Sequence, residues 1–263
     1  MYAFELERPT TTAEATRLAA AGARPLAGGQ TLLAAMKLRL TSAGTLVDLG
    51  LIAELRAIKR DGNAFVVGAM ARHADVAVHP ELKAGLPALA DLAGRIGDRQ
   101  VRAMGTLGGS VANNDPSACY PSAVLALGAA IHTTSRKIDA DDFFLGLFTT
   151  ALNDGELITA ISFPIPKRAA YEKFKQDASR FPLVGVFVAQ FDAGVRVAVT
   201  GASSCVFRHA GLEAALSQTF TPESAAAVKI EATDLNSDIH GSAAYRANLI
   251  SVMAQRAVAK ALA

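Results

Sequence analysis

The sequence predicts an α+β protein. Three observations carry that expectation. Strand-like and helix-like stretches are grouped rather than alternating in the C-terminal part, the hydrophobic pattern changes near Pro164–Lys167, and the N-terminal part holds two double-glycine runs, AGGQT at 27–31 and GTLGGS at 105–110. Runs of strands followed by runs of helices mark the α+β class. At 263 residues the chain is one large domain or two modest ones.

Each element has its own local signal. Phe4–Glu7 reads as a short strand, and Thr10, Thr11 or Thr12 caps a helix running to about Ala21, with Gly22 as its stop. Arg24–Leu26 is a strand feeding AGGQT, and a helix over Leu32–Leu38 follows, with Leu32, Leu33, Met36 and Leu40 on one side. Thr45–Leu49 is a strand. Leu55–Lys59 and Phe65–Gly68 form a hairpin turning at Asp61–Gly62, because Asp-Gly favours tight hairpin turns. His73–Val78 and Leu86–Ile96 are helical, GTLGGS is a loop, Ser122–Leu127 is a short helix and Ala130–Thr134 a strand. Leu157–Phe163 is a strand closed by FPIP. Tyr171–Lys175, Leu183–Phe191, Val195–Thr200 and Ser203–Phe207 are strands, with a turn at Asp192–Gly194, and helices follow at His209–Ser217, Pro222–Val228 and Ala243–Leu262. A domain boundary falls near 167–175.

Composition excludes several classes. The apolar share is 51%, the charged share 19% and the net charge +2, which describes a core-rich globular chain. Lys and Arg are scattered, so no nucleic-acid footprint is present. Cys119 and Cys205 are too few for an iron–sulfur cluster or a four-cysteine zinc site, and do not read as a secreted disulfide framework. Histidines 73, 79, 132, 209 and 240 show no metal-site spacing. The start MYAFELERPTT has no signal-peptide pattern, and no long uncharged apolar run marks a membrane span. A cytoplasmic setting is the expectation.

The glycine runs carry the chemistry. Glycine lets backbone N–H groups approach and converge on an anion such as phosphate. One such run is as readily a plain turn. Two small polar runs together can hold both halves of a pyrophosphate. The chain has neither GxGxxG nor GxxxxGK[ST], so the single-loop dinucleotide and triphosphate sites are not supported.

RPLAGGQTLL at 24–33 and QVRAMGTLGGSVANNDPSACYP at 100–121 closely resemble the two FAD-pyrophosphate loops of the flavin-binding medium subunit of molybdenum hydroxylases, the group that includes aerobic carbon monoxide dehydrogenases and the xanthine dehydrogenase flavin domain. The resemblance continues through ELITAISFPIP, YEKFKQDASRFPLVGVFVAQF and DLNSDIHGSAAYRANLI, and so covers essentially the whole chain. It implies a PCMH-type FAD-binding region over 1–170, itself two subdomains with a break near 50–60. A C-terminal domain over 171–263, a small antiparallel sheet packed with helices, would follow. Non-covalent FAD would lie between them.

Residue roles come with the resemblance. Ala27, Gly28, Gly29, Gln30 and Thr31 match the first phosphate loop, flanked by Leu26, Leu32 and Leu33. Thr106, Leu107, Gly108, Gly109 and Ser110 match the second. Ile96 and Ile158 match apolar positions touching the cofactor, and Lys175 matches a lysine near the flavin, where a cation can stabilise charge on the reduced ring. Lys175 reads equally as a solvated strand lysine. In the segment P-x-x-D-x-P, where the family commonly has an acid, this chain has Cys119. Asn113, Asn114 or Asp115 can take over that acid's hydrogen bond, or Asp115 is a turn residue before Pro116; Cys119 is otherwise a buried inert thiol. Arg99 and Arg102 support phosphate, meet a partner or sit on the surface, and Phe181 lies near the ring or in the core.

The implied function is electron transfer. Electrons would come from the [2Fe–2S] clusters of a small subunit, fed by a molybdopterin large subunit, and leave through FAD to an external acceptor, in a dimer of heterotrimers. The alternatives are a free-standing flavoprotein reductase or oxidase of the same fold, and an assembly subunit without FAD.

Overall fold

The computed structural model describes residues 1–263. Its first unit is a pair of βαβ crossovers. β1 (Glu5–Glu7), α1 (Thr12–Ala20), β2 (Arg24–Leu26), α2 (Leu32–Lys37) and β3 (Thr45–Asp48) form a parallel sheet in the order β1-β3-β2. Thr11 caps α1, its hydroxyl accepting from the Glu14 N–H at 3.3 Å, and the chain leaves α1 through Gly22. Ala15, Ala19, Val47 and Ile52 make a small core beneath this sheet.

A five-stranded antiparallel sheet follows. β4 (Ile58–Asp61) and β5 (Ala64–Gly68) are a hairpin, and six short helices come before the remaining strands: α3 (His73–Val78), α4 (Pro80–Gly85), α5 (Pro87–Gly94), α6 (Arg99–Met104), α7 (Leu107–Asn113) and α8 (Tyr120–Ala126). β6 (Ala130–Thr133), β7 (Lys137–Asp139) and, after a small hairpin of β8 (Phe144–Gly146) and β9 (Thr149–Thr150), β10 (Ile158–Pro164) complete the order β4-β5-β10-β6-β7.

The last unit is an antiparallel meander, β11 (Arg168–Lys175), β12 (Pro182–Phe191), β13 (Gly194–Thr200) and β14 (Phe207–Arg208), followed by α9 (Ala210–Gln218), α10 (Pro222–Ala226) and α11 (Ala243–Leu262). Both faces of this sheet are covered. Val184, Val186, Val197 and Val199 pack with Leu249, Ile250 and Met253 of α11, while Tyr171, Phe187, Ala189 and Ala198 join Phe65, Leu89, Tyr120 and Ile161 in the largest core. That double burial explains the unbroken apolar run LVGVFVA, because a strand needs an alternating pattern only when one face meets water.

Several expected elements differ. Asp61 pairs with Ala64, so the hairpin turns at Gly62–Asn63, and Leu55 lies in a 3-10 turn outside the strand. Prolines at the first helical position start α4 and α5 separately, so the helix expected over Leu86–Ile96 is confined to Pro87–Gly94. Arg39 adopts a left-handed φ of 60° just beyond α2, and Leu40 is exposed instead of lying on the face of Met36. Ser203–Val206 is bent rather than extended, leaving only Phe207–Arg208 in the sheet. The largest difference is at GTLGGS, where Leu107–Asn113 is helical.

Candidate functional site

The two glycine runs meet. A β-carbon on Gly28 would overlap the Met104 carbonyl oxygen and lie 2.7 Å from Gly105 Cα, and one on Gly109 would lie 3.2 Å from Ala27 Cβ. Glycine at 28 therefore lets the backbone of the first loop rest on the segment leading into the second. Gly29 has φ +68°, a conformation that β-carbons disfavour, and it aims the loop into α2 between Leu26 and Leu33.

The runs differ in what their donors do. In the first, the backbone N–H groups of Gly28, Gly29, Gln30 and Thr31 make no hydrogen bond within the chain, and these residues are half-buried or exposed. Successive free N–H groups on a turning backbone form a concavity suited to anionic oxygen. In the second, the donors from Leu107 to Ser110 are already used. Leu107 donates to Ala71 O at 3.0 Å, Gly108 to Ala69 O at 2.8 Å, Gly109 to the Thr106 hydroxyl at 3.2 Å and Ser110 to Thr106 O at 3.1 Å. Thr106 is the N-cap, and it is buried. The Ser110 hydroxyl makes no hydrogen bond within the chain and sits on the half-exposed face.

His73 supports the seam from behind. Its N–H donates to Gly105 O at 2.9 Å, and its ring lies so close to Gly105 that a β-carbon there would sit 2.5 Å from Nε2. Burial, and then the charge of Arg102, pushes the imidazole down to about 4, so it is neutral at ordinary pH. Arg102 itself donates to Ile96 O at 2.9 Å and Gly97 O at 3.0 Å, so it braces its own turn. Arg99 is exposed.

The segment after the second run divides its tasks. Asn114, buried at φ 43°, ends α7 and donates to Gly146 O and Thr149 O, both at 2.8 Å, tying down the β8–β9 hairpin. Asp115 accepts the Ser117 N–H at 2.8 Å, the local turn bond of an aspartate before proline. Asn113 is half-buried on the last turn of α7. Ile96 packs at the edge of the largest core and Ile158 within it.

Cys119 is buried at the start of α8 and takes a contact from Lys173 Nζ at 3.5 Å. That lysine is 8% exposed and also donates to Arg95 O at 2.9 Å and Arg180 O at 2.7 Å. Lys175, the expected cation, is exposed beyond a register shift in β11. Phe181 is 50% exposed and so is not a core residue. Sequence reasoning passed over Lys173. Its only signal was its place in YEKFKQ, two residues from Lys175. A separate cavity of about 640 Å³ lies between β13 and α9, lined by Phe191, Arg196, Arg208 and Glu213. None of its lining residues belongs to either glycine run, and its arginines are neutralised by Asp141 and Glu213.

A βαβ pair carrying an open N–H loop, an antiparallel sheet carrying a packed one, and a C-terminal meander that shares the largest core with that sheet make the α+β fold of the flavin subunits of molybdenum hydroxylases. The chain belongs to this family: residues 2–166 match the FAD binding domain in molybdopterin dehydrogenase. The carbon monoxide dehydrogenase medium chain of Hydrogenophaga pseudoflava is 33% identical, with 97% of this chain and 96% of that one covered. The glyceraldehyde dehydrogenase medium chain of Sulfolobus acidocaldarius is also 33% identical, with 89% of each covered. Among solved structures, reconstituted CO dehydrogenase from Oligotropha carboxidovorans superposes with a TM-score of 0.92 at 32% identity, over 99% of this chain and 98% of that one. Quinoline 2-oxidoreductase from Pseudomonas putida superposes at 0.91 with 28% identity, over 99% and 97%. The chain is an oxidoreductase subunit, and none of its helices is long and apolar enough to cross a membrane.

Proposed function

We propose that this chain binds FAD non-covalently and passes electrons from the [2Fe–2S] clusters of one partner subunit to an external acceptor, while a molybdopterin subunit carries out substrate hydroxylation. The observation that carries the reading is the free N–H row at Gly28–Thr31 laid against the Thr106–Ser110 segment. The donors fit a pyrophosphate: neutral N–H groups and one free hydroxyl, on a surface narrowed to backbone by glycine. FAD, when bound, supplies the electron-carrying chemistry, and the protein supplies position and local charge.

The chain's own residues have distinct tasks in this reading. Ala27–Thr31 donate to one phosphate, and Ser110, presented by the capped start of α7, reaches the other. Leu26, Leu32 and Leu33 shape the wall beside the loop, and Ile96 and Ile158 offer apolar surface toward the ring. Lys175 is free to approach the ring edge. Residues 1–170 form the flavin region and 171–263 the C-terminal domain, which supports the flavin region through the Tyr171–Phe187 face.

The test is co-expression of the chain with its partner subunits. The expected result is a flavin absorption band, FAD released on denaturation, and loss of electron delivery to an external acceptor when this chain is omitted, with the clusters still reduced by substrate. A complex that retains no flavin, and whose melting temperature does not respond to added FAD, would contradict the reading.

A further inference from the structure

Lys173 and Cys119 form a contact that the proposed flavin role leaves unused. Both are more than nine-tenths buried, with exposures of 8% and 4%, and Nζ lies 3.5 Å from Sγ. Cys119 and Cys205 are both free thiols. Beside the Cys119 thiol lies the Tyr171 hydroxyl, fully buried, with the weak thiol as neighbour and no oxygen or nitrogen partner. A buried hydroxyl donor without a strong acceptor is costly, so its persistence next to the thiol calls for an explanation.

We propose that Cys119 and Lys173 are the two ends of an oxidation-dependent covalent bridge, Cys119 Sγ–O–Nζ Lys173, formed with dioxygen or a peroxide as oxidant. With dioxygen the balance is simple. The ammonium first releases one proton to solvent. The thiol and the neutral amine then each give up one hydrogen. One oxygen atom is inserted between sulfur and nitrogen, and the other leaves as water with those two hydrogens. Sulfur and nitrogen together lose four electrons and dioxygen gains four. With hydrogen peroxide, two molecules are consumed and three waters form.

Three features favour this course over the usual fates of a thiol. The group in contact with the Cys119 sulfur is an amine nitrogen, so oxygen delivered to sulfur lies within reach of nitrogen; condensation of a sulfenic acid with that amine would instead give an S–N bond and a loss of about 2 Da, an outcome that overturns the bridge. Burial pushes the Lys173 ammonium down, which raises the share of neutral, nucleophilic amine. The inserted oxygen would supply the strong acceptor that the Tyr171 hydroxyl lacks. The bridge also has a mechanical consequence. The ammonium has three N–H donors and the bridged nitrogen has one, so Arg95 O and Arg180 O can no longer both be served. Arg180 is held at φ +62°, so losing its tie should open the 176–181 turn.

The bridge does not depend on flavin binding, so its test is separate. The full-length chain is exposed to air or dilute peroxide, and its intact mass is measured before and after a thiol reductant. The expected gain is about 14 Da, one oxygen for two hydrogens, reversed by the reductant and mapped to a linked pair of peptides containing Cys119 and Lys173. Trypsin should cut after Arg180 faster in the oxidised chain. Lys173→Arg keeps a donor but cannot bridge, and should instead show simple oxygen adducts on Cys119. The proposal is overturned by adducts of about 16 or 32 Da on wild-type Cys119 without linkage. An unmodified Cys119, or the same linked mass in Cys119→Ser, overturns it equally.

Discussion

The two glycine runs look alike in sequence and behave differently in the fold. AGGQT leaves four consecutive N–H groups unbonded at the surface, whereas GTLGGS spends its donors on Ala69, Ala71 and its own threonine cap. In the proposed reading the first run is the main receptor and the second chiefly a buttress against which it is set, with Ser110 as its one free donor side chain. A Gly-Gly pair therefore specifies close backbone approach, and the elements around it decide whether another protein segment or a ligand makes that approach.

Substitutions can break this comparison. The largest effect is expected at the seam, where both runs share one contact. Gly28→Val has to push the first loop off the Met104–Gly105 backbone, and should cost about 3 kcal/mol in stability together with all flavin retention, read by thermal melts and visible absorbance. Yellow protein with wild-type stability would show that the seam is not a close contact. Next in size is the buttress under acid. The His73 imidazole is about 4 in the folded chain against 6.5 when unfolded, so the unfolded state binds the extra proton between those values. Stability is then complete above pH 6.5 and falls as pH drops toward 4, by up to about 3 kcal/mol. Denaturant titrations of wild type and His73→Phe over that range should show the slope vanish in the variant; parallel slopes would assign the acid sensitivity elsewhere.

Smaller changes separate receptor from buttress. Gly29→Ala places a β-carbon at φ +68° and against the Leu33 side chain, with an expected stability loss of about 1–2 kcal/mol and a weakening of FAD retention disproportionate to it. Thr106→Ala removes the α7 cap and should cost about 1 kcal/mol in stability with only a minor change in FAD affinity. If both variants lose stability and affinity in the same ratio, the division of labour between the runs is wrong.

Much of the frame was legible because its signals are local. The Ala243–Leu262 helix was read with its true ends, from the Ser242 cap side to the last apolar turn, and the strands at 182–191 and 194–200 show in their valine-rich runs. For Asp115 the sequence left two readings, a cofactor partner and a turn residue, and the structure gives it the turn bond to the Ser117 N–H two residues away. The helical state of GTLGGS was not legible, because two glycines have low helix propensity and the bonds that hold them come from Ala69 and Ala71. The choice between Lys173 and Lys175 was equally hidden. They stand two residues apart in YEKFKQ, and the partners that hold the first inward, Arg95 O, Arg180 O and Cys119 Sγ, are not its neighbours on the strand.

Short-range information was thus enough for the α+β class, the family and the two glycine runs of the proposed site, since each rests on spacing, caps and turn chemistry within a few residues. The free or spent state of each backbone donor, the burial of Lys173 against Cys119 and the double covering of the last sheet depend on partners tens of residues away. Those contacts exist only once the three sheets have assembled, because a hydrogen bond or a buried charge is set by what lies across the fold rather than by what lies beside it in the chain.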